Sequence, residues 1–260
     1  MQDPVSLFII GIAAMLLLAF GIIFFVVMYQ RRVIRHQQEI KVLYELKQQE
    51  LINASIQGEE QERMRIASEL HDDVGATLSS VRLFLHSAAK QSGDGSIIDQ
   101  SRELLDDSIQ KIRNISHKLQ PSTLEYLGLQ KSLQALAESI GRSGDLQFRF
   151  VCHQDLPSMH ENVELSVYRI IQELTTNILK HAGATMLSLE IVPQQDSISF
   201  CLEHNGAGLT DVTYQELIYK KGAIGLKNIV NRLKSINASI SFVQIVPDNF
   251  RITITTPVER

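Results

Sequence analysis

The chain has 260 residues, with 25 Lys and Arg against 29 Asp and Glu, for a net charge of −4. That length allows one or two soluble domains beside a membrane segment, and the charge excludes a global basic field for nucleic acid. Cys152 and Cys201 are the only cysteines. They are too few for a disulfide framework or a zinc knuckle, and their apolar, strand-like settings read as small buried residues in a reducing compartment.

Val5 to Tyr29 is an uncharged run of 25 residues rich in Ile, Leu, Phe, Val and Met. As a helix it reaches about 37 Å, enough to cross a hydrocarbon core of about 30 Å with some tilt. A cleaved signal peptide would place positive charge before the apolar run and small residues after it. Here Asp3 precedes the run, and Gln30-Arg31-Arg32-Val33-Ile34-Arg35 follows it. The pattern predicts a retained single-pass anchor with its C-terminal side in the cytoplasm. With four residues ahead of the run, no extracellular sensor domain is expected.

From Gln30 to about Gly58 the chain is polar, helix-prone and free of proline. Val33, Ile40, Leu43 and Ile56 fall near heptad positions, while Leu46, Leu51 and Ile52 blur the register. A short parallel coiled coil and a plain solvated connecting helix both fit. A helical stripe follows through Ile66, Leu70, Val74, Leu78 (or Thr77), Val81 and Leu85, at spacings of three and four. Gln91 to Ser96 reads as a turn. A second stripe runs through Leu105, Ile109, Ile112, Ile115 and Leu119 and stops at Pro121. One such hairpin cannot close a core, but two make a four-helix bundle, so a homodimer is expected.

After about Gly144 the texture changes. Leu146 to Val151 alternates as a strand, and Val163 to His181 reads as a long helix. Met186–Val192, Ser197–Glu203, Ser239–Val246 and Phe250–Thr256 read as strands, and 224–236 contains a further helix. This is a mixed α/β domain with strands mostly paired as hairpins.

Two regions carry chemistry. In Glu69-Leu70-His71-Asp72-Asp73, His71 falls one residue past a core position, at the edge of the stripe. An imidazole attacks phosphorus through one ring nitrogen when a base holds the proton on the other, and Asp72 is the neighbouring base. A metal-dependent phosphohydrolase would need further ligands, and the other histidines (36, 86, 117, 153, 160, 181 and 204) supply no such set. On the later helix, Glu173, Asn177, Lys180 and His181 are spaced i, i+4, i+7 and i+8 and share one face. An Asn amide oxygen suits Mg²⁺, Glu173 suits a metal-bound water, and Lys180 suits a phosphate.

Two glycine groups follow. His204-Asn205-Gly206-Ala207-Gly208 comes directly after a predicted strand, and Gly222-Ala223-Ile224-Gly225-Leu226 directly precedes a predicted helix. Glycine permits close backbone approach, and a helix start offers free N–H groups to phosphate. Thr210 to Lys221, between them, is placed as a mobile lid.

On these residues the chain resembles the bacterial sensor histidine kinases, in the His-Asp group that includes nitrate and membrane-fluidity sensors. The likeness covers about Glu62 to Pro257. It rests on Glu62-Arg63 through Gly75, on Leu119-Gln120-Pro121-Ser122-Thr123-Leu124-Glu125-Tyr126-Leu127-Gly128-Leu129, and on Tyr168-Arg169-Ile170-Ile171-Gln172-Glu173 through Ala182. The resemblance implies a dimeric four-helix-bundle phosphoacceptor domain followed by an ATP-binding α/β sandwich of the gyrase and Hsp90 type. It implies ATP and Mg²⁺, and phosphotransfer to an aspartate on a response regulator, often one with a helix-turn-helix output domain. Three positions depart from the family's pattern. Ala76 stands where Gln positions water for dephosphorylating the regulator, His204 stands where Asp accepts the adenine amino group, and Ala223 stands where Gly is usual. Glu203 points to the other face of its strand and does not replace that Asp.

The expected organisation is a tail and transmembrane helix (1–29), a linker helix (30–60), a dimerisation and phosphotransfer hairpin (61–140) and an ATP-binding kinase domain (145–260). The expected function is a kinase of the inner (cytoplasmic) membrane, its catalytic part in the cytoplasm, that autophosphorylates His71 with Asp72 and Glu173 as catalytic groups. Asn177 and Glu173 would hold the metal. Lys180, His181, His204, Asn205, Gly206, Gly208, Gly222, Gly225 and Leu226 would hold the nucleotide. The alternatives are a degenerate, non-catalytic dimer acting as a signalling scaffold, and an ATPase using Glu173 as base toward water.

Overall fold

Helix α1 (Pro4–Glu69) carries both the apolar run and the polar linker without a break; no proline interrupts it after its first residue. The computed structural model describes residues 4–89, 96–120, 122–142, 146–220 and 222–258. Most of the turn expected over 91–96, and Lys221 of the expected lid, lie outside the described residues. The chain divides into two units, residues 1–51 and 52–260.

In the first unit, Phe8, Met15 to Leu18, Phe24 and Phe25 are all exposed. An apolar surface of this kind is stable in lipid rather than water, and this helix is long and apolar enough to cross a membrane. Along the linker, Val33, Ile40 and Leu43 are also exposed.

In the second unit, α1 ends in a π-helical turn (Leu70–Val74) and resumes as α2 (Gly75–Ala89); α3 is Ser96–Leu119. The hairpin is stitched by Arg82 to Asp106 at 2.9 Å. The Ser116 hydroxyl donates to the Ala67 carbonyl at 3.1 Å, with Ala67 and Ile109 buried at the seam. Much of the apolar stripe stays uncovered: Val74, Val81 and Ile115 are exposed, as are Leu83, Phe84 and Leu104.

Helix α4 (Ser122–Gly141) is kinked at Gly128, whose φ of 76° suits glycine. Its Leu124, Leu129 and Leu133 are buried in the same core as the sheet and the helices that cover it. A division at 140/145 assigns this helix to the hairpin, yet its apolar face is shared with the α/β domain.

The α/β domain is one five-stranded sheet, β1 (Gln147–Cys152), β2 (Met186–Pro193), β3 (Ser197–His204), β4 (Ser239–Val246) and β5 (Asn249–Pro257), in the order β1-β2-β3-β5-β4. β1 runs parallel to β2, and all other pairs are antiparallel. The two-residue period puts Ile198, Phe200 and Leu202 on one face, where each is fully buried. Helices α5 (Glu161–His181) and α7 (Ile224–Ser235) contribute Ile170, Ile171, Leu174 and Ile229 to the same core. The opposite face is polar: Arg251 donates to Glu203 at 2.6 Å, and the Ser199 and Thr255 hydroxyls meet at 3.3 Å. Cys152 and Cys201 are half-buried free thiols in β1 and β3, less enclosed than their apolar settings suggest.

The segment expected as a mobile lid contains helix α6 (Asp211–Ile218). Tyr214 anchors it, buried and 4.4 Å from the Phe242 ring, and the Asp211 carboxylate accepts from the Phe242 N–H at 2.8 Å. An aromatic anchor and a side-chain bond to the sheet give this part of the lid a fixed seat.

Candidate functional site

The π-helical turn is the local event that presents His71. The Gly75 N–H bonds the Leu70 carbonyl, one residue further back than in an α-helix, and the widened turn bulges outward. His71 is 72% exposed there. Its Nδ1 lies 3.1 Å from Asp72 Oδ1, and the Ser68 hydroxyl donates to Asp72 Oδ2 at 3.0 Å. Hydrogen bonds from His71 first and Ser68 second hold the Asp72 carboxyl below its ordinary range. An ionised carboxylate only accepts, so Nδ1 is the donor of that bond, and in the neutral ring so bonded Nε2 is the nitrogen with the lone pair. On the same helix, Arg65 is occupied by Glu62 and Glu69.

A groove of about 360 Å³ opens beside the imidazole, between His71, Asp72 and Ala76 on one side and Ile112, Arg113 and Ser116 of α3 on the other. Among the described residues, none from the α/β domain lines it.

The second cluster sits on α5 and the glycine groups. Glu173 and Asn177 are half-buried, while Lys180 and His181 are exposed in the last turn of the helix. A Cβ on Gly225 would collide with the Glu173 carboxylate, and one on Gly206 with the Ala182 carbonyl oxygen. Both glycine groups are therefore pressed against α5, at its middle and at its C-terminal end. Gly222 has a φ of +97°. Ala223 precedes α7 without a side-chain cap; the Ile224 N–H bonds the Gly222 carbonyl at 2.8 Å, and among the described residues no side chain caps the N–H groups of Gly225 and Leu226. Gly208 lies beneath the Phe250 ring.

His204 is on the helix-covered face at the end of β3, 3% exposed, with its ring stacked on Phe250 at 5.9 Å and 18°. Its Nδ1 has no hydrogen-bond partner among the described residues, and burial pushes its pKa below the ordinary value. Glu203 points to the opposite face, paired with Arg251. The Asn205 side chain is already engaged: its oxygen accepts from the N–H groups of Thr185 at 2.9 Å and Met186 at 2.8 Å, and its amide donates to the Thr185 hydroxyl at 2.8 Å. A side chain engaged in closing the strand end fixes the loop that carries Gly206 and Gly208.

One constellation escaped the sequence reading. Glu60 of α1 is buried and accepts from Arg169 of α5 (Nε at 3.0 Å, Nη2 at 2.8 Å) and from Arg232 Nη2 of α7 at 2.7 Å. Arg169 Nη2 also donates to the Leu119 carbonyl at 2.6 Å, and its Nη1 to Gln172 at 3.0 Å. One carboxylate thus clasps two helices of the α/β domain to α1. Only Arg169, inside the Tyr168–Ala182 motif, carried any signal: an arginine amid Ile170 and Ile171 on a buried helix needs a buried acceptor.

Residues 62–124 match the histidine kinase family model HisKA_3. The chain is similar to the sensor histidine kinase MctS of Rhizobium johnstonii, 28% identical over 68% of this chain and 39% of that protein. It is similar to the oxygen sensor histidine kinase NreB of Staphylococcus carnosus, 23% identical over 81% of this chain and 60% of that protein. The sensor protein VraS of Staphylococcus haemolyticus is 28% identical over 77% of this chain and 57% of that protein. The chain therefore spans roughly two fifths to three fifths of the length of these relatives.

Proposed function

We propose, from the premise that the chain belongs to the sensor histidine kinases with a HisKA_3 phosphoacceptor segment, that it moves the γ-phosphoryl group of ATP onto its own His71. The phosphoryl group then passes to an aspartate of a response-regulator receiver domain, expected with a helix-turn-helix output domain. The observation that carries this reading is the 3.1 Å contact between His71 Nδ1 and Asp72 Oδ1: with Nδ1 as its donor, Nε2 of the neutral ring is the nucleophilic nitrogen.

In the forward step, Nε2 forms a bond to the γ-phosphorus. The bond from that phosphorus to the β–γ bridging oxygen breaks, and ADP leaves with the electron pair. Phosphorylation at Nε2 makes the ring cationic while the proton stays on Nδ1. Asp72 stabilises that cation and takes the Nδ1 proton as the positive charge is relieved. Bound Mg²⁺ would neutralise phosphate charge and orient the chain of phosphates. Asn177, through its amide oxygen, and Glu173 would hold that ion. Lys180, with His181 beside it, faces phosphate at the end of α5, and the N–H groups at Gly222, Gly225 and Leu226 bond phosphate oxygens. His204 stays neutral and offers one ring nitrogen to adenine. Gly206 and Gly208 let the loop after β3 close on Ala182 and Phe250, beside the position of the base, with Asn205 fixing that loop.

The exposed Val81, Leu83, Phe84 and Leu104 support a homodimer in which two hairpins close a four-helix bundle. The α/β domain is read as the gyrase and Hsp90 type of sandwich. The apolar run supports a single-pass anchor in the cytoplasmic membrane, with Arg31, Arg32 and Arg35 on the cytoplasmic side. No feature favours a non-catalytic scaffold, and a simple ATPase has no use for His71 beside its carboxylate. Calorimetric titration of the full chain in detergent with Mg-ATP tests the nucleotide half. Asn177→Ala is expected to weaken binding at least about tenfold; unchanged affinity would place the metal elsewhere.

A further inference from the structure

Phosphorylating His71 sets an electrostatic problem that its own helix does not solve. Asp72 and Asp73 lie in the same π-helical turn, and a phosphoryl group adds a charge on the order of −2. The nearest cation on that helix, Arg65, is taken by Glu62 and Glu69. Gly75, Ala76 and Ser79 line the groove on the following turns, and none of them is a cation. The Ser116 hydroxyl is spent on the Ala67 carbonyl.

Arg113 of α3 is the one Lys or Arg among the described residues that line the groove with His71. The neighbouring acidic residues of α3 have other partners, Asp106 with Arg82 and Asp107 with Lys111, and among the described residues no carboxylate pairs with Arg113. A planar guanidinium grips two phosphate oxygens at once, and it does so best when no carboxylate competes for it.

We propose that Arg113 is a second functional residue of the phosphoacceptor site: its guanidinium binds the phosphoryl group on Nε2 of His71, across the groove. It offsets the repulsion from Asp72 and Asp73 and holds the phosphoryl group where a receiver domain collects it. In the place of Ala76 a longer polar side chain would reach into this groove, and its absence leaves Arg113 as the phosphoryl group's main partner from the protein. This inference rests on His71 as the phosphoacceptor but not on ATP as the donor.

The test separates those two claims by phosphorylating the full chain, in detergent, with potassium phosphoramidate instead of ATP. The phosphohistidine signal is followed by ³¹P NMR as a function of pH, with His71→Gln identifying the resonance. An opposite charge within contact lowers an acid's pKa by about 1–3 units. Arg113→Gln is therefore expected to raise the second ionisation of the phosphoryl group by about one unit, and Arg113→Lys to retain part of the depression. A residue acting only on packing would leave that ionisation in place. Because Arg113 is exposed, the variants are expected to melt with the wild type. Coinciding titrations of wild type and Arg113→Gln would overturn the proposal even where ATP labels His71; a shifted titration upholds it even where ATP does not.

Discussion

Glu60→Gln is the most informative single change outside the phosphoacceptor turn. Glu60 and its partners Arg169 and Arg232 are almost fully enclosed, with side-chain exposures of 10%, 4% and 5%. Removing the charge keeps the shape but leaves two buried guanidinium groups facing a neutral amide. Breaking a buried pair from one side costs about 3–5 kcal/mol, against about 0–1 for an exposed pair. The burden falls unevenly. Arg169 keeps Gln172 and the Leu119 carbonyl. Among the described residues Arg232 retains only Glu59 at 3.6 Å, and its Nη1 already lacks a partner there. Urea unfolding of the full chain in detergent, run as a double-mutant cycle, reads the coupling directly. Glu60→Gln is expected to destabilise by about 3 kcal/mol, and Arg232→Met in that background to restore stability, with a coupling energy of about 2 kcal/mol. A Glu60→Gln effect below about 0.5 kcal/mol, or additive singles, would refute the clasp.

Other expectations follow from the same structure. The His204 pKa is depressed below 6.5 by burial, so the unfolded chain binds the proton first. Stability is then complete above pH 6.5 and is lost as pH falls toward and through the folded pKa; melting temperatures against pH should show this loss in wild type and less of it in His204→Asn. Ser68→Ala removes one of the two bonds that depress Asp72, and an NMR titration of that carboxyl should move up toward the ordinary range. Gly206→Ala drives a Cβ into the Ala182 carbonyl and should cost about 1–3 kcal/mol in denaturant unfolding.

Regular elements were legible because periodicity is a local property. The strand expected over 239–246 is Ser239–Val246, and the helix expected from Val163 starts two residues earlier at Glu161. The contrast between Glu203 and His204 followed from two-residue alternation alone. What escaped depends on partners far along the chain. Glu60 meets residues 109 and 172 positions away, and nothing in the composition of α1 marks which of its many glutamates is buried. The π-helical turn replaces one hydrogen-bond register by another without changing the apolar stripe. α4 carries a helical apolar face, but its partner was not written in that face. Asn205 sits in a glycine-rich stretch that suggests a ligand, while its amide closes the strand end.

The central claim is that Nε2 of His71 receives phosphate from ATP. The direct measurement is incubation of the full chain in detergent with γ-labelled ATP and Mg²⁺, wild type beside His71→Gln, with mass spectrometry to locate the label. Acid-labile, alkali-stable label on His71 of the wild type and none on the variant is the predicted result. Label that persists in His71→Gln, or a folded wild type that binds Mg-ATP and takes no label, would contradict it.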